Sequence, residues 1–190
     1  MDGPPRSAPP RRLMGCLILA VLLLHGLACR AEHPMAEAAV KATYLYKLAP
    51  YIEWPEAALP AEGAPALLCV VGTDVFGPLL AEAVAGESLA GYPIAVRRHA
   101  TAAQARGCTI AFLSGSQRET VAAALAALRG AALLTVTDES NDAEAKGMVH
   151  FVIADDNVRF EIDDRAAWES GLVFSSKVLE LALSVVPRPD

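Results

Sequence analysis

Beyond residue 31 the sequence has two cysteines, Cys69 and Cys108, and none after them. This excludes a cysteine-framework fold and the paired Cys-x-x-Cys sets of structural zinc sites. Basic charge is also scarce. Removing residues 1–31 leaves 12 basic and 21 acidic residues, a net charge of −9. Such a domain has no electrostatic footprint for nucleic acid. No apolar run reaches the roughly 20 residues that a membrane-spanning helix needs.

The usual catalytic patterns are missing too. Gly72-Thr73-Asp74-Val75-Phe76-Gly77 sits between a predicted strand and helix, where phosphate loops occur. Pro78-Leu79 follows in place of Lys-Ser/Thr, so nothing can reach a terminal phosphate or hold magnesium. The backbone amides of that turn remain able to hold a small anion. Ser114-Gly115-Ser116 resembles a nucleophile elbow only loosely and reads as helix capping. His33, His99 and His150 are far apart, and none has a second ligand at metal spacing. Asp155/Asp156 and Asp163/Asp164 read as turn and cap residues. Asp138, Glu139, Asp142 and Glu144 lack the fixed glycine of a calcium loop. No catalytic, cofactor or metal site is expected.

What is present begins with an export signal. Arg6, Arg11 and Arg12 precede the apolar run Leu13–Leu24, and small residues follow at Gly26, Ala28, Cys29 and Ala31. Residues 1–31 therefore read as a signal peptide cleaved after Ala31, with 32–190 as a single mature domain. Lipoprotein processing at Cys29 is the rival, and Gly26 is a poor fit to the large aliphatic residue it needs. An uncleaved anchor is the third reading. All three place the domain outside the cytoplasm. In an oxidising compartment two remaining cysteines favour one disulfide, Cys69–Cys108. Two separately buried thiols are the alternative.

Both cysteines belong to short apolar runs, Ala66–Gly72 and Cys108–Leu113, of the kind buried on both faces of a sheet. Helical spacing of Val40, Tyr44, Leu48 and Tyr51 predicts a helix over Met35–Tyr51, broken by Pro50 or Trp54-Pro55. The rest alternates. Helix 75–85 leads to strand Tyr92–Arg98, a short helix at Ala100–Arg106 to strand Cys108–Leu113, and helix Glu119–Leu128 to strand Ala131–Thr137. This is the pattern of right-handed crossovers over a parallel sheet, with the first strand between the second and third. After an acidic loop, Asp138–Lys146, the strands Gly147–Ile153 and Asn157–Ile162 form a hairpin about Asp155-Asp156. A helix capped by Asp163 or Asp164 runs to Glu169. A final helix, Ser176–Ser184, is expected to bury Val178, Leu181, Ala182 and Val185. The fold class is α/β: a mainly parallel, doubly wound sheet with helices on both faces and a C-terminal antiparallel hairpin at its edge.

Tyr44, Tyr46, Tyr51 and Trp54 cannot all face one way, so part of this aromatic group is a candidate binding face. A pocket at the carboxyl ends of the strands, near Gly72–Phe76 and Ser114–Ser116, would instead suit a periplasmic small-ligand receptor.

Six segments in order carry a resemblance: Glu37–Pro55, Leu67–Gly77, Cys108–Ser116, Leu133–Glu139, Gly147–Asp163 and Ala167–Ala182. Together they resemble the YfiR-like family. The resemblance implies a periplasmic, non-enzymatic repressor without a cofactor. Its partner would be the periplasmic sensor region of an inner-membrane diguanylate cyclase, so that repression lowers cyclic di-GMP and biofilm formation. It also implies sequestration by an OmpA/Pal-like outer-membrane lipoprotein and redox input through disulfides, and it admits a homodimer. The family pair that matches here is Cys69–Cys108; a second, C-terminal pair of some members has no counterpart. The interface is expected on Tyr46, Tyr51 and Trp54 together with Ser175, Ser176 and Lys177 of the C-terminal part.

Overall fold

The computed structural model describes residues 35–189. The predicted leader, with Cys16 and Cys29, lies outside the described residues, as does His33. The chain divides into two units, residues 1–37 and 38–190, and the second carries the fold. That unit opens within helix α1, residues 35–47. The predicted helix stops short of Tyr51: a 3-10 turn at Ala49–Tyr51 carries Pro50, and a two-residue strand β1, Ile52–Glu53, follows. Proline removes the donor that another α-turn would need, and the chain turns out of the helix at that point.

The main sheet has eight strands: β2 Ala66–Gly72, β3 Ser88–Leu89, β4 Tyr92–His99, β5 Ile110–Gly115, β6 Leu134–Asp138, β7 Val149–Ala154, β8 Asn157–Asp163 and β10 Val185–Val186. Their spatial order is β10-β8-β7-β6-β5-β2-β4-β3. The expected centre is confirmed, because β2 lies between β4 and β5 and is parallel to both. The hairpin β7–β8 is antiparallel. Its turn residues Asp155 and Asp156 have φ of 51° and 58°, the left-handed pair of a type I′ loop. Short β10 pairs parallel outside β8, so the hairpin lies one strand in from the edge.

Alternation along β2 divides the interior in two. Ala66, Leu68 and Val70 join Ile110, Phe112, Val136, Phe151 and Phe160 in the larger core. That face is covered by α1, by helix α2 (Leu79–Ala83) and by the C-terminal elements α4 (Asp164–Glu169), β9 (Val173–Phe174) and α5 (Ser176–Leu179). Cys69 and Val71 point the other way, into a smaller core with Ala102, Ala105, Leu113 and helix α3 (Val121–Leu128). Cys69 and Cys108 form a disulfide across that core, with Cα atoms 6.1 Å apart.

Several local expectations are corrected. The helix after β2 shrinks to five residues, because Asp74 caps a turn rather than a helix. Its Oδ1 accepts from the amides of Phe76 and Gly77. The N-cap of α3 is Thr120, accepting from Ala123, rather than Ser114 or Ser116. The last helix ends at Leu179. Val178 is buried as expected, but Leu181 is 60% exposed and Val185 belongs to β10. Asp138 is not a loop acid. It ends β6 fully buried and is ion-paired to Lys41 of α1.

Candidate functional site

The segment that follows α1 meets the C-terminal part through a second, two-stranded sheet. β1 pairs antiparallel with β9, Ile52 opposite Phe174 and Glu53 opposite Val173. The Tyr51 carbonyl accepts from the Ser175 amide at 2.8 Å, extending the ladder by one bond. Residues 51–54 therefore lie beside 173–177 although about 120 positions separate them. Ser175 opens α5 and leaves Ser176 and Lys177 exposed in its first turn.

The aromatic group divides among three tasks. Tyr44 packs on the sheet, its ring 6.1 Å from Phe151 and 5.8 Å from Phe160. Tyr46 is 8% exposed and belongs to the core; its hydroxyl donates to Glu87 at 3.2 Å. Trp54 is half-buried, held by an indole N–H bond to the Ala49 carbonyl at 3.1 Å. Tyr51 is the exposed member, at 41%. The face centred on the β1–β9 pair therefore presents a phenol, one edge of an indole, the Ser176 hydroxyl and a lysine, while the Ser175 hydroxyl is buried beneath it. Its backbone is held by sheet hydrogen bonds, so little order is left to impose when a partner docks.

The carboxyl ends of the parallel strands are already occupied. Arg98 donates to Asp74 Oδ2 at 2.5 Å and to the Gly77 carbonyl at 2.6 Å. Burial pushes the Asp74 carboxyl up, but the Arg98 guanidinium and the Phe76 and Gly77 amides outweigh it and hold the group below the usual carboxylate range. Those two amides are thereby spent and no longer offer an anion cradle. The Ser114 hydroxyl lies against the carbonyls of Val71 and Thr73, at 3.1 and 2.5 Å. At Gly72, with φ of +98°, a Cβ would overlap the Gly115 backbone. The receptor pocket expected between Gly72–Phe76 and Ser114–Ser116 is thus filled by the protein's own groups.

His150 is buried, its Nδ1 2.8 Å from the Thr137 hydroxyl, which also accepts from the Gly147 amide at 2.8 Å. Burial lowers its pKa, with the Lys146 charge adding to the effect against Glu161, Asp138 and Glu139. It is a satisfied core histidine. His99 is different. It ends β4 with Val71 as its Cα partner. Its ring and the sulfurs of Cys69 and Cys108 place one ligand atom each within 4.8 Å of one another. Among the described residues this is the one such group of three or more metal-capable side chains. Residue spacing could not reveal it, because parallel register on two crossovers assembles it.

No helix among the described residues is long and apolar enough to cross a membrane. No curated protein matches the chain. The model of the YfiR/HmsC-like family matches residues 38–183, which takes in β1 through β8, the disulfide and the β1–β9 face, and on that match the chain belongs to the YfiR/HmsC-like family.

Proposed function

We propose that this protein is a periplasmic binding protein that holds a membrane-anchored diguanylate cyclase inactive by gripping its periplasmic sensor region, lowering cyclic di-GMP and biofilm formation. The family is one of non-catalytic periplasmic regulators of diguanylate cyclases, and membership in it is the observation that carries the reading. The contact face we assign is Tyr51, Trp54, Ser175, Ser176 and Lys177; Tyr46, the remaining residue of the expected interface, lies in the core. The β1–β9 pair supports this choice by joining the two halves of the expected interface on one rigid patch. Repression would work by differential affinity: a protein that prefers the inactive sensor conformation shifts the population toward it. An OmpA/Pal-like outer-membrane lipoprotein competing for the same patch would relieve the hold, and a homodimer is compatible with the same scheme.

The test is binding and cyclase output with Tyr51→Ala and Lys177→Glu. Both side chains are exposed, so both variants should melt like wild type. A central aromatic contact loses about 2 kcal/mol on truncation, roughly thirtyfold in Kd. Each variant should bind the sensor region at least tenfold more weakly and raise cyclic di-GMP. Wild-type affinity in both would place the interface elsewhere.

A further inference from the structure

The geometry points to a second chemical state of the disulfide centre: on reduction, Cys69, Cys108 and His99 form a binding site for a thiophilic divalent cation of the zinc type. Three observations meet there. The two sulfurs and one imidazole nitrogen lie within 4.8 Å of one another. Tetrahedral zinc, with Zn–S near 2.3 Å and Zn–N near 2.0 Å, sets neighbouring ligand atoms roughly 3.5–3.8 Å apart. Opening the S–S bond therefore needs only side-chain rotation to reach that spacing. Among the described residues the His99 side chain has no hydrogen bond or ion pair, whereas those of its chain neighbours Arg98 and Gln104 are engaged. Alternation along β4 puts His99 on the same side of the sheet as Cys69 and Val71.

Access also suits a metal. Cys108 lines a cleft of roughly 350 Å³ together with Pro60, Leu67, Arg97 and Arg106. Cys69 is buried, Cys108 is 4% exposed, and His99 is half-buried. An ion entering by the cleft would meet three protein ligands and keep a fourth position for water, the arrangement of an open site.

The step balances with a dithiol as reductant. Two electrons and two protons pass from the dithiol to the Sγ–Sγ bond. That bond breaks, two protein thiols form, and the reductant leaves as its own disulfide. Zn²⁺ then displaces both thiol protons to solvent, forming two Zn–S bonds and one bond to neutral His99. The pair would thus be either a covalent staple or a metal clip, and the smaller core stays closed in both states. This inference is independent of the proposed cyclase partner.

The experiment uses the whole mature chain, oxidised and after reduction with a phosphine, which does not compete for zinc as a dithiol does. Co²⁺ is the optical probe and Zn²⁺ the competitor. Reduced wild type should take up one equivalent of Co²⁺, show thiolate-to-cobalt charge transfer and release the cobalt to Zn²⁺; oxidised wild type should show none of this. Reduced His99→Ala, with both cysteines intact, should bind about tenfold more weakly or worse. Oxidised His99→Ala should melt like oxidised wild type, which separates loss of a ligand from loss of fold. Zn²⁺ should raise the Tm of the reduced wild type, or restore its fold if reduction opens it, and should not do so for His99→Ala. Absence of charge transfer, equal binding by His99→Ala, or a reduced chain that zinc does not stabilise would each overturn the site.

Discussion

Replacing Lys41 by Met is the sharpest probe of how α1 is fixed to the sheet. The Lys41 side chain is 5% exposed and that of Asp138 2%. Asp138 Oδ2 faces the ammonium, while Oδ1 accepts from the Ser140 amide at 2.7 Å. Methionine keeps the length and apolar stem of lysine and removes the charge. The carboxylate then stays buried with a single backbone donor. Breaking a buried pair by removing one partner costs about 3–5 kcal/mol, because the remaining charge has neither water nor counter-ion. For a domain of this size each kcal/mol moves Tm by roughly 2–4 °C, so Lys41→Met should melt about 6–20 °C lower. Asp138→Asn keeps the bond to Ser140 and takes away the charge facing the ammonium, with a loss in the same direction. The double variant leaves no buried charge, so it should be far more stable than the sum of the singles requires. Urea unfolding of wild type, both singles and the double at pH 7 gives the coupling directly. Lys47→Met, at the exposed Lys47–Glu87 pair, serves as a control that should change nothing measurable. If either buried single loses less than about 1 kcal/mol, or the singles add in the double, the pair behaves like a surface pair and the reasoning fails.

Four further outcomes follow from other parts of the fold. Replacing Cys69 and Cys108 together by Ala should cost about 4 kcal/mol by urea unfolding, since the bridge closes a loop with a sequence separation of 39; a loss below about 1 kcal/mol would mean the unfolded chain is not constrained by it. Gly72→Ala should cost at least about 3 kcal/mol or prevent folding, because the residue sits at φ +98° against the Gly115 carbonyl. Gly63→Ala, at φ +79° with open space around it, should cost only about 1–2 kcal/mol. His150 has its pKa lowered by burial from 6.5, so below that pH the unfolded chain takes up a proton that the folded one resists. Stability should be flat with respect to this group above pH 6.5 and fall below it, by at most about 1.4 kcal/mol per pH unit, until the folded pKa is passed. His150→Gln should remove that slope, and an unchanged slope in urea titrations between pH 5 and 7 would assign it to other groups.

The elements whose burial is two-sided were readable before the structure. Ala66–Gly72 has no polar alternation because both of its faces are covered, and the strand has the bounds expected of it. The Asp155-Asp156 turn was readable for a local reason, the tolerance of aspartate for left-handed backbone. The C-terminal helix was not. Val178, Leu181, Ala182 and Val185 read as a buried stripe, yet Leu181 and Val185 lie exposed beyond α5. The Leu183 amide instead bonds the Phe160 carbonyl, and the Ile162 amide bonds Ser184, which ties this stretch to the edge of β8. Sheet-edge pairing outweighed helical period there, and nothing in the local residues records which edge is open. The aromatic group was legible as special, but its division among core, anchor and surface was not. Which of two aromatics three or four residues apart meets the sheet depends on how α1 rolls, and the buried Lys41–Asp138 pair helps set that roll.

The sequence by itself determined the class of fold, the central place of the strand bearing Cys69 and the pairing of Cys69 with Cys108. The first two follow from the succession of apolar runs and turn signals along the chain, and the third from there being two cysteines after residue 31 in an exported domain. Only the tertiary structure decided that residues 51–54 lie against 173–177, that Asp138 is a buried counter-ion, and that His99 stands beside the disulfide. Each of these depends on the register of chain segments far apart in sequence, and register is set by the packing of the whole sheet rather than by any segment in it.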